Sequence, residues 1–164
     1  MKNKNIFLII FWVAIFNLTF FESAKSQSTF TRIDVEEFVK NAVKFAKENG
    51  KDIALKEFMN PNGNFIKGSH KELYIYAYDY NGKVIAHGDK PKLVGINLLD
   101  LKDPSGNYPI RKLIKSLNSQ DHWVEYSWFN PASKKVEKKL GYCLKVDETW
   151  WLGSGIYKTE EIKK

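Results

Sequence analysis

The alternation in residues 73–78 constrains this chain more than any other feature. Leu73, Ile75 and Ala77 fall on one side of an extended backbone, and Tyr74, Tyr76 and Tyr78 on the other. Successive Cβ atoms of a strand point to opposite faces, so this period-2 pattern of aromatic and β-branched types specifies a strand. Asn81-Gly82 follows. Both residues tolerate positive φ, which predicts a tight type I′ hairpin turn. Residues 83–87 then return as the partner strand and end on His87, after which Gly88, Pro91 and Gly95 break the pattern into a long loop reaching Gly106. A row of tyrosines and one histidine beside an irregular loop can line a small-molecule pocket.

The first 26 residues stand apart from any fold. Lys2 and Lys4 form a positive start, residues 6–21 are almost wholly apolar, and Ala24-Lys25-Ser26 places small residues at −3 and −1. That is the pattern of a secretory signal peptide cleaved before Gln27, leaving one domain over 27–164 in the periplasm or outside the cell. An uncleaved membrane anchor is the alternative, although residues 6–21, with Asn17 and Thr19 inside, are short for a span. No second apolar run follows, so no C-terminal transmembrane segment is expected.

Cys143 is the single cysteine, so no intramolecular disulfide can form and the domain must hold together by its core. The formal net charge is +7, but the basic residues are scattered singly apart from Lys134-Lys135 and Lys138-Lys139. With export, that distribution reads as a solvated surface and not as a nucleic-acid interface.

Helical spacing appears at two places before the hairpin. Asp34 with Glu37 predicts a capping box, and Val35, Phe38, Val39, Ala42, Val43, Phe45 and Ala46 form a broad apolar face that ends at Gly50. A shorter helix is predicted over 52–59, stopped by the turn cluster of residues 60–64. Beyond the long loop, Pro109 opens a helix over 108–117 with Ile110, Leu113, Ile114 and Leu117 on one face. Strands follow over 123–129, 136–146 and 150–157. The order predicts an α+β architecture: an antiparallel meander completed by the first hairpin into five strands, with the N-terminal helices on one face.

Several stretches together resemble a known family. YAYDYNGKVIAHG, LVGINLLDLKDPSGNYPIRKLI, WVEYSWFNP, KVEKKLGYCLKV and WLGSGIY, in that order and spacing, are similar to the single Cache domain of the second type. Such domains serve as extracellular sensors of bacterial receptors and as stand-alone exported proteins. The likeness covers about Val35 to Tyr157. It implies a PAS-like five-stranded antiparallel sheet behind a long N-terminal helix, and a pocket for small organic acids, amino acids or amines. Receptor members continue into a second helix and a membrane span, whereas this sequence ends at Lys164, which favours a stand-alone binding protein.

Catalytic signatures are scarce. Gly153-Ser154-Gly155 lacks the G-x-S-x-G of a nucleophile elbow and reads as close strand packing. His70, His87 and His122 lack metal-ligand spacing, and Asp100 and Asp103 lack that of a calcium loop. No glycine motif for a nucleotide cofactor occurs. Binding without chemistry, and without a cofactor, is the expectation. Candidate binding residues are Tyr76, Tyr78, Tyr126, Trp128 and Tyr142, whose rings offer apolar walls and polar tips, or which simply fill the core. His87 could donate to a carboxylate or serve structurally. Arg111 would suit a carboxylate clamp, or is solvated or paired with an acid; Lys139 would add a positive charge near the pocket mouth. Expected partners are a small ligand, preferably a carboxylate, a membrane signalling protein and a second copy of the chain. The competing reading is an adhesion or scaffolding module that uses a sheet edge for β-augmentation.

Overall fold

Thr31 sets where the folded region begins. Its side chain accepts from the Asp34 N–H at 3.3 Å, and the Asp34 carboxylate takes the Thr31 N–H at 2.7 Å. This reciprocal box starts helix α1, Arg32–Asn49. Sequence spacing puts the cap at Asp34 with Glu37. The structure corrects it by one turn, because Thr31 and Asp34 already satisfy both orphan N–H groups. The structure, a computed structural model, describes residues 30–158. The predicted signal peptide, residues 1–26, lies outside the described residues.

Gly50, at φ 82°, turns the chain from α1 into α2, Lys51–Phe58. Two short strands follow, β1 (Ile66–Lys67) and β2 (Leu73–Tyr74), paired with each other. The main sheet uses β3 (Tyr76–Asp79), β4 (Val84–His87), β5 (Trp123–Phe129), β6 (Val136–Lys145) and β7 (Trp150–Tyr157), with α3 (Pro109–Ser116) between β4 and β5. All neighbours are antiparallel, in the order β4-β3-β7-β6-β5. This is the expected PAS-like α+β fold: the last strand of the meander pairs with β3 and so joins the meander to the first hairpin.

The hairpin turn differs from expectation. Asn81 does not adopt positive φ; only Gly82 does, at 83°. Gly82 N–H donates to Asp79 O, and Asp79 Oδ1 accepts from the Asn81 and Lys83 N–H groups at 2.9 and 2.8 Å. The result is a three-residue loop with a glycine bulge in place of a two-residue type I′ turn. Asp79 outbids the type I′ geometry by satisfying two backbone donors from one carboxylate. The extra residue belongs with a register shift between Ala77 and Tyr78.

Two cores lie on opposite faces of the sheet. On one, α1 and α2 cover Leu73, Ile75, Ala77, Tyr142, Trp150 and Leu152, with the Phe58 and Phe65 rings edge-on at 4.9 Å. On the other, α3 covers Tyr74, Tyr76, Tyr78, Tyr126, Cys143 and Trp151. The alternation of residues 73–78 therefore divides its side chains between two layers, as strand geometry dictates.

Both outer strands have partners along part of their free edges. Val84 N–H donates to Ile96 O, and Gly95 N–H to Val84 O, each at 2.9 Å, so a loop covers β4. On β5, Ser127 N–H donates to Asp103 Oδ2 at 3.3 Å. These contacts reduce the edge that β-augmentation would need.

Candidate functional site

Strand alternation on three strands converges beneath α3. β3 supplies Tyr76 and Tyr78, β4 supplies His87, and β5 supplies Tyr126 and Trp128; Ile110 and Leu113 of α3 close the space from above. The cavity these seven line has about 10 Å³ of free volume, room for about one water. Its walls are mostly rings. Tyr76 and Tyr78 meet edge-on at 6.0 Å, Tyr78 stacks on Trp151 at 5.0 Å, and Trp128 lies over His87 at 6.5 Å.

Glycine makes this convergence possible. A Cβ on Gly141 would stand 2.8 Å from Tyr126 Cε1 and 3.0 Å from Tyr76 Oη. The bare backbone there lets the two tyrosines approach, with their hydroxyls 3.5 Å apart. Gly153 does the same beneath Tyr76: its Cβ would meet Cε2 at 2.8 Å. Ser154 is buried and gives its hydroxyl to Tyr74 O at 2.7 Å. The Gly-Ser-Gly run is thus strand packing.

Lys139 faces Tyr126 across the β5–β6 ladder and is fully buried. Its Nζ donates to Tyr74 Oη at 2.9 Å and lies 5.5 Å from the Tyr76 ring centroid, one side chain behind the cavity wall. The sequence reading puts this amine near a pocket mouth; the structure puts it at the polar inner end. Tyr157 Oη donates to Phe129 O at 2.6 Å and lies 3.4 Å from Tyr74 Oη. A directed chain results, from the amine through Tyr74 and Tyr157 to a carbonyl. Burial pulls the Lys139 pKa down to about 7; the Asp89 carboxylate opposes that shift and Lys90 adds to it.

His87 is buried and its Nδ1 accepts the Lys90 N–H at 3.0 Å. That bond assigns the ring proton to Nε2 and leaves it a donor. Burial, with the Lys139 and Lys90 charges behind it, pushes the imidazole pKa down to about 3, so the ring is neutral at physiological pH. Cys143 approaches Ser116 Oγ at 3.2 Å, and burial pushes its thiol up to about 12, well away from a reactive thiolate.

Two sequence candidates fall elsewhere. Tyr142 sits on the helix-covered face, against the Trp123 ring at 5.1 Å, because Lys139, Gly141 and Cys143 take the alternate positions of β6. Arg111 is exposed, pairs with Asp100 and lies 4.5 Å over the Tyr108 ring. Ile110 and Leu113 hold the inward face of α3, and position 111 turns away from them. Sequence reasoning left out Tyr74, Tyr157, Asp89 and Gly141. Tyr74 had a signal, since it alternates with Tyr76 and Tyr78; the others had none.

Among the described residues no group of three metal-ligating side chains occurs, and no helix is long and apolar enough to cross a membrane. The profile of one protein family, described as "Cache domain", matches residues 34–163. The sensor histidine kinase MctS of Rhizobium johnstonii is 33% identical over 88 residues, covering 53% of this chain and 19% of that protein. The methyl-accepting chemotaxis protein CtpM of Pseudomonas aeruginosa is 36% identical over 75 residues, covering 45% of this chain and 13% of its own length. The chain thus spans under a fifth of these relatives. Among solved structures, a methyl-accepting chemotaxis protein from Vibrio parahaemolyticus superposes with a TM-score of 0.66 at 28% identity, over 76% of this chain and 86% of that one. A Cache chemosensory domain described in terms of carboxylic acid recognition superposes with a TM-score of 0.59 at 23% identity, over 76% of this chain and 86% of that one.

Proposed function

The chain belongs to the Cache domain family, and from that premise we propose that it is an exported, non-catalytic sensor that binds a small carboxylate beneath α3. Domains of this family are sensory ligand-binding modules of chemotaxis receptors and sensor kinases. The observation that carries the carboxylate reading is Lys139. A buried amine with two unused N–H donors, next to an aromatic cavity, offers a charge-assisted anchor for an anion. The His87 Nε2–H is a second donor, and Tyr76, Tyr78, Tyr126 and Trp128 form the walls around the acid's short carbon chain. The related domain described in terms of carboxylic acid recognition supports the same class.

The small free volume bears on how a ligand enters. About 10 Å³ holds a water and not an acid, so α3, with Ile110 and Leu113 on its inner face, moves outward as the ligand binds. Coupling between occupancy and α3 position is what a membrane signalling partner would read. Residues 1–26 carry the export, and mass spectrometry of the secreted protein should find a start at Gln27.

The test is a thermal-shift and calorimetric screen against two- and three-carbon acids, with Lys139→Met alongside. Ligand at about 100 times its dissociation constant adds roughly 2.7 kcal/mol to stability, enough to see in a melt. The expected result is binding by the native protein and none by Lys139→Met. Binding that survives Lys139→Met overturns the anchor, and no binding of any acid overturns the ligand class.

A further inference from the structure

Near the polar cluster behind the cavity lies one group that the carboxylate reading leaves unused. Asp89 follows the cavity residue His87 by two positions, and its Oδ2 is shut off from solvent without a hydrogen-bond partner. Buried carboxylate oxygens are almost always paired, so an unpartnered one next to a cavity marks a missing donor. Its charge is felt at three neighbouring groups. The Asp89 charge acts on Lys139, on the Tyr74 hydroxyl and on the Tyr157 hydroxyl, which together form the hydrogen-bonded cluster behind the cavity.

Asp89 and Lys139 do not form an ion pair, and each keeps capacity to spare. Lys139 gives one of its three N–H donors to Tyr74, and Asp89 has a free acceptor. A donor and an acceptor within electrostatic reach of each other, but not joined, complement a ligand that carries both functions on adjacent carbons. A plain carboxylate would meet Lys139 and leave Asp89 unpaired, with a second negative charge close by.

We propose, resting on the carboxylate reading above, that Asp89 is the specificity-determining residue of this site and selects acids bearing a hydrogen-bond donor on the carbon next to the carboxylate, 2-hydroxy or 2-amino acids, over acids that bear none. Lys139 takes the carboxylate, and Asp89 takes the hydroxyl or ammonium proton.

The experiment is calorimetric titration of the protein expressed from the full-length sequence with four three-carbon acids: propanoate, pyruvate, L-lactate and L-alanine. Lactate and alanine are expected to bind at least about tenfold more tightly than propanoate and pyruvate, the scale of a hydrogen bond to a charged group. Asp89→Ala should remove that preference, so that lactate and alanine bind this variant no more tightly than propanoate binds it. Asp89→Asn keeps an acceptor without the charge; it should retain lactate and weaken alanine if the ammonium is the natural donor, and retain neither advantage if the charge serves both. Equal affinity for all four acids, or a preference that survives Asp89→Ala, overturns the proposal. If propanoate binds and Lys139→Met abolishes it while no preference exists, the carboxylate site stands and the role of Asp89 falls. If none of the four binds, both fall together.

Discussion

Lys139 on β6 and Tyr74 on β2, 65 residues apart, meet beneath the sheet with Nζ 2.9 Å from the hydroxyl and 4.1 Å from the ring centroid. A cation so placed is held by a phenol and by the ring face, with no anion bonded to it. The fold tolerates this because burial draws the amine's pKa down to about 7, so that a large fraction is neutral.

That shift has a sign. An unfolded lysine titrates near 10.4, so between pH 7 and 10.4 the unfolded chain binds more protons than the folded one, and stability rises with pH. Chemical denaturation from pH 7 to 9.5 should show a rise of up to about 1.4 kcal/mol per pH unit from this group, absent in Lys139→Met. Lys139→Met should itself be neutral or stabilising, since an apolar side chain replaces a buried charge. A steep loss of stability in that variant would sink this account of the buried amine.

Acid should act through His87. Its folded pKa of about 3 lies below the unfolded value of 6.5, so stability is lost as pH falls through that window. The expected slope is up to about 1.4 kcal/mol per pH unit, and His87→Gln should flatten it. Melting curves at pH 6.5, 5 and 4 on both proteins decide the matter; parallel curves would assign the acid sensitivity elsewhere.

Tyr126→Phe separates the cavity from the core. The Tyr126 hydroxyl stands 3.5 Å from Tyr76 Oη, too long for a strong bond. Its removal should cost under about 1 kcal/mol of stability. Affinity for a bound acid should fall by more than that, and unchanged affinity with lowered stability would return Tyr126 to a packing role.

Gly141→Ala tests the close approach on which the cavity depends. The new methyl would press on the Tyr126 ring at 2.8 Å and on the Tyr76 hydroxyl at 3.0 Å, and both side chains are buried with little room to yield. A loss of roughly 1–3 kcal/mol is expected from overpacking. Urea denaturation with no change in midpoint would mean the rings shift freely.

Asp103 ties the long loop to the sheet: Oδ1 accepts from the Ser105 and Asn107 N–H groups at 2.9 Å, and Oδ2 from the Ser127 N–H. Asp103→Ala should lower stability by about 1–3 kcal/mol, because the buried Ser127 N–H and two loop N–H groups lose their acceptor. Hydrogen exchange should accelerate at Ser105, Asn107 and Ser127, and unaltered exchange at Ser127 would show that the tether does not hold the loop.

Much of the fold is legible locally. Residues 123–129 are rich in aromatic and β-branched types and 150–157 start and end on aromatic residues, and the strands β5 and β7 occupy those ranges. Cap and turn choices were less legible. Thr31 competes with Asp34, and the Asp79 carboxylate with the Asn81-Gly82 pair, over energies near 1 kcal/mol that propensity does not rank. β1 is two residues long and exists only because β2 lies beside it.

Face membership and partnership part company at the site. Alternation alone determines that Tyr76 and Tyr78 share a face, and that Tyr126 and Trp128 share one, since pleating is a property of each strand by itself. Which faces look at each other depends on β7 inserting between β3 and β6, a pairing between residues far apart in the chain. Tyr142 and Lys139, three positions apart on β6, take opposite faces by parity, and packing decides that Tyr142 meets the helices and Lys139 lies behind the cavity. Packing also brings the Asp89 charge to bear on Lys139. The sequence by itself determined strands, helices and the parity of their side chains; the tertiary structure decided which charge is buried, beside what, and with which oxygen left unpaired, because burial and its electrostatic cost arise only when distant elements pack.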